Sequence, residues 1–186
     1  AWAFAKAGQL NEALFPALAR AAEPVLGQFN AQELANTAWA FATVGQADEA
    51  LFAVLARRAD PLLGEFNVQC LANTAWAFAT ACVSASSLYA ALARRARDQL
   101  HTFQPLELSM TAWAFATARM PADDLFEAIA VAAVQQMQDM ATRHLVKLIF
   151  AFGTMKTPAT SFFEAAAAHL STDSSRLGMA AHAAAL

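Results

Sequence analysis

The sequence predicts an all-α protein, an α-solenoid of about five two-helix repeats with a 37-residue period. Three observations carry this reading. The stretch LANTAWAFAT at residues 34–43 returns at 71–80, as LSMTAWAFAT at 108–117 and, loosened to LVKLIFAFGT, at 145–154. Trp2, Trp39, Trp76 and Trp113 stand 37 residues apart, and Phe150 takes the next place. Within each period, apolar residues recur at helical spacing in two blocks parted by turn residues. Two helices cannot bury such faces alone, whereas stacked neighbours share one continuous core. The chain begins inside a repeat, with AWAFAKAG, and so reads as a single array cut from a longer one.

The second helix of each unit, helix B, opens at Asn30, where Asn30 and Glu33 fit a capping box and Phe29 is placed for a hydrophobic staple. Asn67 repeats the cap, and Gln104-Pro105 puts proline at the first helical position, where its missing N–H costs nothing. Gly8 and Gly45 follow as C-cap candidates. Cys82, Arg119 and Lys156 replace that glycine, so different caps are expected there. Helix A starts near Asn11, Asp48, Ser86, Asp123 and Thr160. Its anchor pair recurs as Leu14-Phe15, Leu51-Phe52, Leu88-Tyr89, Leu125-Phe126 and Phe162-Phe163. Pro24 and Pro61 end it in the first two units, followed by turns at Gly27 and Gly64, and Pro16 makes the first helix A start late or bend. The last unit is degenerate, with its helix B placed from Ser175-Arg176-Leu177 onward.

At 100° per residue, Leu14, Phe15, Leu18 and Ala22 form the apolar side of helix A, with Arg20 opposite. On helix B, Leu34, Ala35, Ala38, Trp39, Phe41 and Ala42 form a wide face expected to be buried. Asn36, Ala40 and Thr43 form the face expected to be open. The Trp and Phe columns are thus both expected in the core.

Composition narrows the function. The 58% apolar share is rich in alanine, which suits close helix packing, and no apolar run approaches the roughly 20 residues of a membrane span. A formal net charge of −3 argues against nucleic-acid binding by bulk positive charge and leaves a local patch as the route. Cys70 and Cys82 lack companions at metal spacing and read as reduced, buried thiols. His101, His144, His169 and His182 share no metal spacing and fit ordinary surface or joint positions. No Gly-rich phosphate loop, nucleophile elbow or paired-carboxylate constellation is present, so neither an enzyme nor a cofactor is expected. Because residue 1 lies inside a repeat, the lack of a targeting segment at the start says nothing of destination.

FNAQELANTAWAFATVG, Phe29 to Gly45, closely resembles the second half of the octatricopeptide repeat, which runs Phe-Asn-Pro-Gln-x-Leu-Ala-Asn-x-x-Trp-Ala-x-Ala. The period is more similar to that of heptatricopeptide repeats and of the helical arrays preceding RAP domains, as in FAST-kinase-like proteins. The Pro-Pro-x-x-Trp opening of octatricopeptide helix A is absent. The resemblance covers nearly the whole chain. It implies a helical solenoid in a mitochondrion or chloroplast that binds single-stranded RNA without catalysis and governs its processing, stability or translation.

Two columns are candidates for that contact. Arg57 and Arg94, with Arg20 on the same register, would stack into a basic ladder able to follow phosphates. Equally, they complement the C-terminal dipole of helix A. On helix B, Thr43, Thr80, Thr117 and Thr154, with Ala40 and its equivalents, form a constant floor of small residues. Asn36, Asn73, Met110 and Lys147 change on that floor, bordered by Gln32, Gln69 and Arg143. One changing residue per repeat is what base-by-base reading of RNA requires. The arginines and the helix B column project from opposite layers, and small residues favour helix B as the concave lining. Two rival functions use the same array: a protein-interaction scaffold in the same groove, or a spacer for a catalytic module elsewhere in the parent chain.

Overall fold

Side-chain caps set where the helices begin. The computed structural model describes residues 1–6 and 14–183. Asn30 Oδ1 accepts from the Glu33 N–H and Glu33 Oε2 from the Asn30 N–H, each at 2.9 Å, which completes the capping box. Asn67 Oδ1 caps the next helix B through the Cys70 N–H, and in the third the Glu107 carboxylate accepts from the Gln104 N–H behind Pro105. The helices B are α1 (Trp2–Lys6), α3 (Ala31–Thr43), α5 (Val68–Thr80), α7 (Pro105–Thr117) and α9 (Thr142–Met155). Between them run the helices A: α2 (Leu14–Ala22), α4 (Glu49–Ala59), α6 (Ser86–Asp98), α8 (Asp123–Gln135) and α10 (Thr160–Ala183). Short 3-10 turns at Glu23–Gln28, Asp60–Glu65, Leu100–Thr102 and Met137–Asp139 lead from A to B, and Pro24 and Pro61 open the first two. Pro16 lies near the start of the described part of α2. The expectations placed on Gly8 and Asn11 fall outside the described residues.

Two expectations are corrected. The caps after helix B do not differ: Gly45, Cys82, Arg119 and Lys156 all take positive φ, between 53° and 69°. In the first three, the same pair of bonds closes the helix. The N–H of Gly45, Cys82 and Arg119 reaches the carbonyls of Ala42, Ala79 and Ala116, and the next N–H reaches Phe41, Phe78 and Phe115. This is the Schellman closure that glycine favours, imposed on side-chain-bearing residues because the following helix A must turn back onto B. The second correction concerns α10, which continues through Ser175, Arg176 and Leu177 instead of breaking into a helix B. Its alanine-rich sequence holds no proline to stop it.

Packing repeats with the register. In each unit an aromatic ring of helix A meets the helix B phenylalanine edge to face: Phe15–Phe41 at 5.3 Å, Phe52–Phe78 at 5.0 Å, Tyr89–Phe115 at 5.0 Å and Phe126–Phe152 at 5.6 Å between centroids. All eight rings are fully buried. Ala40, Ala77, Ala114 and Ala151 are also sealed off, so successive helices B sit against one another with nothing larger than a methyl group there. The helices A stand further apart, leaving cavities of about 340 Å³ between α6 and α8 and about 260 Å³ between α4 and α6. An array spaced more tightly on layer B than on layer A curves toward B. Side-chain clasps join the units as well. Gln99 and Gln136 each donate from Nε2 to the carbonyl of Phe66 or Phe103 in the preceding unit, at 2.8 Å, and Arg95 donates to the Gly64 carbonyl at 2.7 Å.

Phe115→Ala is expected to cost roughly 3–5 kcal/mol, the usual penalty for emptying a buried aromatic site, read as a lower urea midpoint. Arg119→Gly is expected to raise the midpoint by up to about 1 kcal/mol through relief of the left-handed strain. Arg119→Ala keeps the Cβ and should give no such gain; an equal gain from both would refute the strain argument.

Candidate functional site

Each of α3, α5 and α7 is flanked by a helix B on either side and by helix A beneath, which leaves chiefly one narrow strip of it to solvent. In α3 that strip holds Gln32, Asn36, Trp39 and Thr43, spaced four, three and four residues apart, as one helical stripe requires. Gln69, Asn73, Trp76 and Thr80 repeat it on α5. Leu106, Met110, Trp113 and Thr117 do so on α7, and Arg143, Lys147, Phe150 and Thr154 on α9. The candidates Asn36, Asn73, Lys147, Thr43, Thr80, Thr117, Gln32, Gln69 and Arg143 are all at least partly exposed and come together on this surface.

Two face assignments change. Ala40, expected on the open face, is buried at 0%, because it lies in the contact between neighbouring helices B. Trp39, expected in the core with Phe41, is only half-buried: two residues along a helix is a turn of 200°, so burying Phe41 against helix A sends Trp39 outward. Trp76 and Trp113 share that exposure, while Trp2 is 43% and Phe150 48% exposed. The Trp39 and Trp76 rings lie 6.2 Å apart at 33°, and Lys6 Nζ stands 4.7 Å over the Trp2 ring. The Trp-x-Phe spacing was the signal in the sequence that separated the two columns.

Hydrogen bonding separates the stripe residues further. The Thr43 hydroxyl donates to the Trp39 carbonyl at 2.8 Å and is spent within its own helix. Among the described residues no protein group holds the side-chain amide of Asn36 or Asn73, which leaves both donor and acceptor free at each.

The arginines belong to the other layer. Arg57 and Arg94 are exposed on α4 and α6, where they line the cavities between helices A. Their neighbours Arg58 and Arg95 are half-buried, and Arg95 is committed to the Gly64 carbonyl. Arg97 pairs with Asp124 at 2.8 Å across the cavity between α6 and α8. The ladder therefore does not share a surface with the helix B stripe, as the opposite layers implied.

Cys70 is buried, and burial pushes its thiol pKa up despite the Asn67 hydrogen bond. Cys82, expected to be buried, is exposed because it occupies the left-handed cap position at the helix end. His101 is exposed and His169 half-buried, whereas His144, in the first turn of α9, is 7% exposed with neither ring nitrogen hydrogen-bonded. Burial pushes the His144 pKa down, the adjacent Arg143 and Lys147 charges push it down further, and Glu107 pulls it up. His182 has no described side chain. Among the described residues no group of three or more His, Cys, Asp or Glu is placed to hold a metal, and no helix is long and apolar enough to cross a membrane.

Residues 1–184 match the family model described as RNA-editing substrate-binding complex 6 protein. The octatricopeptide-like wording of Phe29–Gly45 rests on those residues alone. No curated protein sequence matches the chain.

A His144 that folds neutral binds its proton more weakly than the unfolded chain does. It should therefore lower stability as pH falls below about 6.5, the ordinary histidine value. His144→Leu removes that proton uptake while every carboxylate still titrates. The urea midpoint of the wild type should fall more than the variant's between pH 7.5 and 5.5; parallel curves would refute the assignment.

Proposed function

The chain belongs to the RNA-editing substrate-binding complex 6 protein family, and on that footing we propose that it binds single-stranded RNA along its helix B stripe without catalysis. The family is a component of the mitochondrial RNA-editing substrate-binding complex, so its work is RNA-related and lies in the mitochondrion. The observation that carries the RNA reading is the column Asn36, Asn73, Met110 and Lys147. One accessible, changing side chain per repeat stands on an unchanging floor of threonine and buried alanine, with the Asn36 and Asn73 amides unengaged. Repeat proteins that read RNA use a few such side chains per unit. Gln32, Gln69, Thr80 and Thr117 border the path, and Arg143 and Lys147 meet phosphates. Arg57 and Arg94 take no part in this groove, because they lie on the other layer.

The similarity of Phe29–Gly45 to octatricopeptide repeats supports the same reading. A protein scaffold using the same groove is the second reading, and the exposed Leu106 and Phe150 side chains on the stripe favour it.

The test is titration of a labelled random single-stranded RNA pool with the purified chain at low and moderate salt. Saturable binding that weakens with salt is expected. Lys147→Ala should reduce the salt slope by about 0.7, one phosphate contact on a single strand. Asn73→Ala should cost about 1 kcal/mol, one hydrogen bond. Unchanged affinity in both variants would overturn the site. No binding at either salt, together with partner capture that resists RNase, would favour the scaffold.

A further inference from the structure

The helix B stripe holds more than its polar column. Phe41, Phe78, Phe115 and Phe152 are each about 1% exposed, yet the aromatic two residues before each one, a tryptophan in the first three and Phe150 in the fourth, stays partly in solvent. In α3, α5 and α7 the core therefore takes the phenylalanine and leaves the tryptophan at the surface, whereas in α1, at the end of the described array, Phe4 (47%) and Trp2 (43%) are both exposed. The outer aromatics form a row on the surface: Trp2, Trp39, Trp76, Trp113 and Phe150. Trp39 and Trp76 lie close enough to make a continuous aromatic surface. Their 6.2 Å separation is less than two base-stacking steps of about 3.4 Å, so a base can lie over these rings but not between them.

Charge identifies the occupant. The chain carries 15 Asp and Glu against 12 Lys and Arg, yet none of those carboxylates falls on the stripe. Its charged members are Arg143 and Lys147, together with Lys6, which holds the threonine register in α1. Lys6 already stands over the Trp2 ring, which shows an aromatic face open to solvent and to a cation. A carboxylate-free row of indoles, with cations at both ends of a net-negative protein, is complementary to a polyanion with flat apolar groups. Free amides at Asn36 and Asn73 lie within the same stripe and match the edges of those groups.

We propose that this tryptophan row is a stacking platform for unpaired RNA bases, with Lys6, Arg143 and Lys147 taking backbone phosphates at its ends. The inference rests on the RNA-binding reading above and adds what holds the strand: base faces on aromatic rings, a contact that tolerates any sequence and excludes paired bases. The asparagines then bias an otherwise sequence-tolerant grip.

The experiment compares the wild-type chain with Trp76→Leu, Trp76→Phe and Trp113→Leu, each shown helical by circular dichroism. Binding to a labelled single-stranded RNA and to the same RNA in a perfect duplex is measured, with quenching of tryptophan fluorescence as a second readout. Each leucine variant is expected to bind the single strand about tenfold more weakly with an unchanged salt slope, and Trp76→Phe within about threefold of wild type, since one base–aromatic stack is lost or kept. Single-stranded RNA should quench the wild-type fluorescence, and the duplex should bind less tightly. If both leucine variants bind as the wild type does while Lys147→Ala weakens binding, the platform is overturned and the RNA reading stands. Equal affinity for duplex and single strand overturns it as well. Absence of RNA binding by the wild type overturns both, and RNase-resistant capture of a protein lost in Trp76→Leu would assign the row to a protein partner.

Discussion

The structure depends on one repeated contact, the edge-to-face meeting of a helix A ring with a helix B phenylalanine. Phe52–Phe78 and Tyr89–Phe115, at 5.0 Å, set helix A at the same height on helix B in consecutive units. Aromatic pairs of this geometry contribute about 0.5–1.5 kcal/mol beyond the area they bury. Their larger consequence is orientation. Once Phe41, Phe78 and Phe115 point at helix A, the helical turn decides everything else on B. The alanine before each of them lies in the seam with the neighbouring helix B, and the tryptophan before that faces outward. The Tyr89 hydroxyl ties the same contact to the backbone by donating to the Ala75 carbonyl at 2.8 Å.

Much of this was legible because the period is constant. A 37-residue repeat aligns caps, anchors and turns by arithmetic, and Asn30, Asn67 and Asp48 cap helices where the sequence places them. What a single helix could not reveal was the number of its neighbours. A two-sided division of helix B into buried and open faces puts Trp39 with Phe41 and leaves Ala40 outside. Three neighbours reverse both, leaving chiefly a strip at Gln32, Asn36, Trp39 and Thr43. The C-caps were misread for a related reason: local preference calls for glycine at positive φ, and Cys82, Arg119 and Lys156 accept it because tertiary packing fixes the turn. In α10 the local signal prevailed, since alanine-rich sequence without a stop continues as helix.

The candidate site was legible as a column but not as a surface. Asn36, Asn73 and Lys147 stand out because they change where Thr43, Thr80 and Thr117 do not, and the register alone shows that. Their company could not be read the same way. Lys6, with Lys147 and Arg143, flanks the row of indoles only when five helices B lie side by side. The arginine ladder shows the converse. Its register is as regular as that of the asparagines, but Arg57 and Arg94 line the cavities between helices A, on the layer opposite the stripe.

These two outcomes separate structure from function within one period. A side chain in a seam must repeat, since every unit presents the same neighbour to it: Phe41, Phe78 and Phe115 face an aromatic ring, and Ala40, Ala77 and Ala114 face a helix at methyl distance. A side chain on the solvent strip that touches no copy of itself in the next unit is free to change from unit to unit. Repetition on that strip therefore calls for a cause outside the fold. Thr43 has an internal one, its bond to the Trp39 carbonyl. The tryptophans have none so complete: a half-exposed indole at position after position stabilises the array less than a buried one would, and leucine would serve the seam as well. What distinguishes indole from leucine is its flat π face, and a row of such faces is matched by a ligand that presents flat rings one after another along a strand.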